Sequence, residues 1–206
     1  MDAMKIPQSI QIIILCITSL LPSVCNAQDD ILVFGDSLSA GYGIAREASW
    51  PVLLQDELQK THPHYKVINA SISGETSSGG LRRLPATLKE HQPGIVIIEL
   101  GANDGLRGTQ TAITEKNLAA LIMQSKAIKA KVLLLGMQLP PNYGEAYTRR
   151  FKAIYPKLAK KYQVALVPFM LQGIKAEEFQ ADNLHPIAEA QPKILQTIMQ
   201  KLKPLL

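Results

Sequence analysis

Between residues 30 and 167 the chain alternates short apolar runs with longer amphipathic stretches. The runs are 31–34 (ILVF), 65–69 (YKVIN), 95–100 (IVIIEL), 131–137 (KVLLLGM) and 164–167 (VALV). The third is β-branched and nearly continuous, as expected for a strand buried on both faces. Between the runs the apolar period lengthens to that of a helix. Phe151, Ile154, Tyr155, Leu158 and Tyr162 share one stripe, and Ile187, Ile194, Leu195, Ile198 and Leu202 another. Leu118, Leu121 and Ile122 mark a third; residues 50–58 fit a helix entered near Pro51, and 81–89 a shorter one. Strand alternating with helix predicts an α/β fold: a five-stranded parallel sheet with right-handed crossovers, built as a three-layer α/β/α sandwich. No repeat, low-complexity tract or linker interrupts it, so residues 28–206 read as a single domain. In such a sheet the site lies beyond the carboxyl ends of the strands, and candidate residues should follow strands directly.

The first 27 residues break the pattern and read as a signal peptide. Lys5 supplies a positive start, residues 10–21 an apolar core, and Pro22 and Ser23 a break. Cys25-Asn26-Ala27 then offers the small residues a signal peptidase reads. The apolar run is too short to span a membrane comfortably. Val24 fits poorly before a lipid-anchored Cys25. The expectation is export to the periplasm or medium after cleavage near Ala27, with no stable membrane insertion. Both cysteines, Cys16 and Cys25, fall inside this segment. The mature chain would therefore carry neither a disulfide nor a thiol nucleophile or thiolate metal ligand.

Composition adds one exclusion. The net charge of +5 is spread along the chain rather than gathered in a run. It could favour anionic substrates, but it lacks the basic stripe or reader motif that a nucleic-acid partner needs.

Four short blocks carry the chemistry. Gly35-Asp36-Ser37 follows the first run, where a tight turn would present Ser37 at the mouth of the sheet as a nucleophile; taken alone, the piece reads more simply as a strand-to-helix turn with Asp36 or Ser37 as N-cap. Gly74, beyond the second run, and Asn103, beyond the third, would supply a backbone N–H and a carboxamide N–H. With the Ser37 N–H they would make three donors for the tetrahedral oxyanion of acyl transfer. A loop glycine and a turn asparagine are the plain alternatives. The fourth block is Asp182-Asn183-Leu184-His185-Pro186. Of the four histidines, His62, His64 and His91 read as solvent-facing, and only His185 has an acid three residues earlier. A D-x-x-H turn can set Asp182 against the imidazole Nδ1–H and free Nε2 for the serine. Together the blocks fill the roles of nucleophile (Ser37), oxyanion donors (Ser37, Gly74, Asn103), base (His185) and orienting acid (Asp182).

These blocks are those by which the SGNH (GDSL) hydrolase family is named, and the chain resembles that family across its whole mature length. GDSLSAGYGI, NASISGETSSGGLRRLPATL, HQPGIVIIELGANDGLRG, LPPNYG, AIYPKLAKKY and DNLHP look like its bacterial periplasmic thioesterase I / lysophospholipase L1 / arylesterase subgroup. The resemblance implies a flavodoxin-like sheet in the order 2-1-3-4-5 and hydrolysis of small-molecule esters, acyl thioesters or lysophospholipids. It also implies the same five residue roles, with no metal and no other cofactor. It suggests that residues 105–110 move over a bound acyl chain and that Leu106 and Leu139 contact it; both leucines could equally be core. Arg82, Arg83 and Arg107 are candidates for a substrate phosphate. A carbohydrate O-acetyl esterase or acyltransferase on the same residues, and a lipid-binding protein without activity, remain as alternatives.

Overall fold

The computed structural model describes residues 29–206, so the proposed signal segment lies outside the described residues. Five parallel strands stand in the order β2-β1-β3-β4-β5: β1 Asp30–Gly35, β2 Lys66–Asn69, β3 Ile95–Glu99, β4 Lys131–Leu135 and β5 Ala165–Val167. β1 and β3 run side by side at the centre, with Ile31 opposite Ile95 and Gly35 opposite Glu99. Every residue of β3 is buried, as its continuous apolar run requires.

The crossovers place α2 (Trp50–Thr61) and α7 (Gln191–Leu202) together on one face of the sheet. Helices α3 (Ser77–His91), α5 (Thr111–Ala127) and α6 (Glu145–Tyr162) pack side by side on the other. Two short helices, α1 (Ser37–Ala40) and α4 (Ala102–Leu106), follow β1 and β3 directly. Because the chain moves outward from β1 in both directions, the crevice between β1 and β3 is the topological switch point, where open α/β sheets bind ligands. The three layers and the strand order match the expectation.

Several boundaries differ from the pattern-based reading. α3 begins at Ser77, not at Leu81, because polar groups start it: the Thr76 hydroxyl caps the Gly79 N–H at 3.1 Å. The Asp104 carboxylate accepts from the Ser77 N–H at 2.7 Å and the Ser77 hydroxyl at 2.6 Å. Its first turn carries Gly79 and Gly80 in place of an apolar stripe; a Cβ on Gly80 would lie 2.6 Å from Leu100, so the missing side chain lets the helix approach the sheet. β4 stops at Leu135, and beyond it Gly136 donates to the Val167 carbonyl at 2.8 Å and passes against the Pro168 carbonyl too closely for any side chain. At the C-terminal end, α7 starts at Gln191 after a 3-10 turn over Ala188–Ala190, so Ile187 precedes the helix whose stripe it was expected to share.

Candidate active site

The polypeptide leaves β1 through Gly35 and Asp36 and enters α1 at Ser37. Asp36 caps that helix, its Oδ1 accepting from the Leu38 N–H at 3.1 Å, so capping residue and candidate nucleophile are neighbours rather than alternatives. The Ser37 hydroxyl then points at the far end of the chain. Its Oγ lies 2.8 Å from His185 Nε2, across 148 positions of sequence.

His185 sits on a loop closed like a hairpin. Phe179 bridges Pro186, the Gln180 N–H donates to the His185 carbonyl at 2.8 Å, and Asn183 turns the chain with φ of 57°. Asp182 accepts from the N–H groups of Leu184 and His185 through Oδ1, at 2.9 and 3.0 Å. Its Oδ2 lies 2.6 Å from His185 Nδ1. Burial raises the Asp182 carboxyl, but hydrogen bonds from the His185 backbone and ring and from the Leu184 backbone, with the His185 charge, outweigh it and hold the group at about 2. The carboxylate therefore accepts the Nδ1 proton, which leaves the Nε2 lone pair for the Ser37 O–H. Tyr42 lies over the imidazole, ring centroids 4.6 Å apart.

Gly74 and Asn103 meet Ser37 at the same crevice. Gly74 has φ of 78°, a conformation that favours glycine, and its carbonyl accepts from Arg107 at 3.1 Å. Among the described residues the N–H groups of Ser37 and Gly74 find no hydrogen-bond partner. Asn103, on α4, differs. Its Nδ2 donates both to Asp36 Oδ2 at 3.1 Å and to the Glu75 carbonyl at 3.0 Å. To serve a substrate oxygen as well, it must share or release one of these hydrogens.

A cleft of about 450 Å³ opens at this point. Leu106 and Leu139 both line it, with Met137, Phe169, Leu171 and Leu184. Leu139 also packs on Gly105, where an added Cβ would lie 2.5 Å away. Of the three candidate phosphate contacts, Arg83 is committed internally, 3.2 Å from Glu75 and stacked 4.1 Å over the Phe34 ring. Arg82 donates to Ser78, and Arg107 donates to the Gly74 carbonyl. The other histidines keep away from the cleft, but His62 and His91 are half-buried rather than solvent-facing; His62 packs with His64 and Tyr65. Among the described residues no cluster of three or more His, Cys, Asp or Glu side chains could hold a metal ion.

Two contributors escape a reading of local sequence. Gln180 Nε2 donates to the Tyr42 carbonyl at 2.9 Å and the Pro186 carbonyl at 3.2 Å, tying the loop after α1 to the histidine loop. Gly43 makes room for it, since a Cβ there would sit 2.1 Å from Gln180 Oε1. Glu99, fully buried, accepts from the Asp36 N–H at 3.1 Å. Its one sequence signal is an acid at the end of an otherwise apolar strand.

Comparison with known proteins bears on the family. The chain is 47% identical to "Esterase TesA" of Pseudomonas aeruginosa over 193 residues, covering 93% of this chain and 96% of that protein. It is 49% identical to "Thioesterase 1/protease 1/lysophospholipase L1" of Escherichia coli K12 over 181 residues, 87% of this chain and 86% of the relative. A crystal structure of TesA superposes with a TM-score of 0.84 at 49% identity, covering 86% of this chain and 99% of that one. Residues 33–191 match the GDSL-like lipase/acylhydrolase family. With the family match spanning residues 33–191 and relatives at 47–49% identity covered over most of their length, the chain belongs to the GDSL-like lipase/acylhydrolase family.

Proposed function

We propose that the chain hydrolyses carboxylic esters and thioesters through an acyl-enzyme on Ser37, with His185 as base and Asp182 as its orienting acid. The single observation that carries this reading is the unbroken contact from Ser37 Oγ to His185 Nε2 at 2.8 Å and from Nδ1 to Asp182 Oδ2 at 2.6 Å. His185 takes the hydroxyl proton as Ser37 attacks the acyl carbonyl. The N–H groups of Ser37 and Gly74 hold the oxyanion, joined by the Asn103 hydrogen that otherwise rests on the Glu75 carbonyl. The alcohol or thiol leaves with the proton from His185. Water, deprotonated by the same imidazole, then releases the acid and restores the serine.

The cleft speaks for the acyl part of the substrate. Its leucine, methionine and phenylalanine lining suits a hydrocarbon chain better than an acetylated sugar. Leu106 and Leu139 are its chain contacts in this reading, and Arg107, next to Leu106 and bonded to the Gly74 carbonyl, is the remaining candidate for a phosphate on a lysophospholipid or a CoA leaving group. The relatives named esterase and thioesterase 1/lysophospholipase L1 have the same range of substrates in their names. Export, with the first 27 residues removed, belongs to the same proposal; the mature N-terminus should then begin near Gln28, which terminal sequencing of exported protein checks.

The test is turnover of a matched ester and thioester series of increasing chain length by wild type and Ser37→Ala. Wild type should cleave both kinds of bond. Ser37→Ala should retain its circular dichroism and melting cooperativity while kcat/KM falls by ~10³ or more. Wild-type turnover in that variant would end the acyl-enzyme reading.

A further inference from the structure

Behind the nucleophile turn lies a carboxyl group that takes no part in the proposed acyl transfer. Glu99 ends β3 beside Asp36, and neither has exposed surface. Glu99 Oε2 accepts from the Asp36 N–H at 3.1 Å and from the Ser39 hydroxyl at 2.7 Å, whereas Oε1, also buried, meets no donor. A side chain at Gly35 would put its Cβ 2.6 Å from Glu99 Oε2 and 2.9 Å from Ser39 Oγ, so the glycine of the turn leaves space for this contact. Asp36 in turn engages both carboxylate oxygens, Oδ1 with the Leu38 N–H and Oδ2 with the Asn103 amide, each at 3.1 Å. One line of contacts thus runs from Glu99 through Asp36 to an oxyanion donor.

We infer that Glu99 is a positioning residue for the oxyanion site: it fixes the 35–39 turn from behind, so that the Asp36 carboxylate holds the Asn103 amide in its donating orientation. The inference rests on the serine-hydrolase reading and adds to it the residue that sets one donor.

Two carboxyl groups side by side in the interior cannot both ionise. The donors decide which keeps the proton. Asp36 receives one on each oxygen, while both donors to Glu99 fall on Oε2 and leave Oε1 bare. An ionised Glu99 would strand a charged oxygen without compensation, which is costly in a dry interior. The proton therefore stays on Glu99. Burial, with the Asp36 charge, pushes the Glu99 carboxyl well above the usual carboxylate range. The nearby Tyr155 hydroxyl is turned to the Leu100 carbonyl at 3.1 Å and brings no positive charge. Neutral Glu99 behind charged Asp36 is the arrangement in which an Asn103 N–H faces an acceptor. An amide at position 99 reproduces it: the carbonyl accepts from Asp36 and Ser39, and the NH2 stands where the acid proton was. A shorter acid cannot reach the turn.

The experiment compares Glu99→Gln, Glu99→Asp and Glu99→Ala with wild type and Ser37→Ala, measuring kcat and KM on one activated ester with folding followed by circular dichroism. Glu99→Gln should keep kcat within about threefold, whereas Glu99→Asp and Glu99→Ala should lose ~10-fold or more in kcat with KM unchanged, a fraction of what removing an oxyanion donor costs. A purely structural role would lower the melting temperature and leave kcat of the folded protein alone. Should Glu99→Ala fail to fold, the Gln and Asp variants carry the comparison. Wild-type kcat in a folded Glu99→Asp would overturn the positioning role. A loss in Glu99→Gln as deep as in Glu99→Asp would overturn the neutral-acid form. Activity surviving in Ser37→Ala would instead remove the hydrolase reading beneath both.

Discussion

Asp182 divides its two oxygens between two tasks, and that division predicts how the residue can fail. Oδ1 is occupied by two backbone N–H groups and Oδ2 faces the imidazole. In Asp182→Asn the backbone donors hold the amide oxygen at the Oδ1 position, which turns the NH2 toward His185 Nδ1. The imidazole must then carry its proton on Nε2, where it faces Ser37 and cannot accept. We expect kcat/KM to fall ~100-fold or more, and further than in Asp182→Ala, which leaves the tautomer free. Rates for the two variants on one activated ester check this order. The depressed carboxyl also sets an acid limit: its contribution to stability is present above the usual 3.8 and is lost as pH falls through about 2. The candidate blocks are legible in the sequence because three of them follow a strand end within a few residues and the fourth pairs an acid with a histidine three positions on, in the final loop. Glu99 and Gln180 are not, because their partners lie 63 and 138 positions away and neither belongs to a local motif.

At the scale of elements, the site depends on how two loops from opposite ends of the chain are held together. Gln180 is the clamp between them. Replacing it with Ala frees the loop after α1 from the histidine loop, and a displacement of about 1 Å at a catalytic pair can cost ~100-fold. We predict a fall in kcat of ~10-fold or more with a small change in melting temperature, read from paired kinetics and melts. The turn after β1 tolerates even less. Gly35→Ala drives a methyl into Glu99 and Ser39, and overpacking of this kind costs about 1–3 kcal/mol. For a domain of this length each kcal/mol lowers the melting temperature by about 2–4 °C. The change of apolar period between strand and helix makes most elements readable in the amino-acid sequence. It fails at the start of α3, where capping by Thr76 and Asp104 does the work that an apolar stripe does elsewhere.

At the scale of the whole molecule, alternation of strand and helix is enough for the layers, but the outward winding from β1 is implied only by family resemblance. Short apolar runs carry no record of which neighbour they pair with. The winding matters because it makes the crevice between β1 and β3, beneath which the two buried carboxyl groups lie. Burial pushes Glu99 up and takes Asp36 to about 6 against the pull of its hydrogen bonds and of His185. The titratable groups that act on Glu99 and Asp36 are each other, Tyr155 and His185, and Asp104 acts on Tyr155. The folded state thus holds a proton that the unfolded chain gives up near the ordinary carboxylate range. Stability should fall as pH rises above ~4.5, by up to ~1.4 kcal/mol per pH unit for one proton. Glu99→Gln lacks this contribution. Urea melts between pH 5 and 8 should show wild type losing stability relative to the variant, and parallel curves would speak against the shared proton.

Reaction with a fluorophosphonate, followed by digestion and mass mapping, tests the central claim most directly. One adduct per chain is expected, on the peptide containing Ser37, absent from Ser37→Ala and formed far more slowly by His185→Ala. Ester hydrolysis proceeding with Ser37 unmodified, or a stoichiometric adduct on another residue, would contradict it.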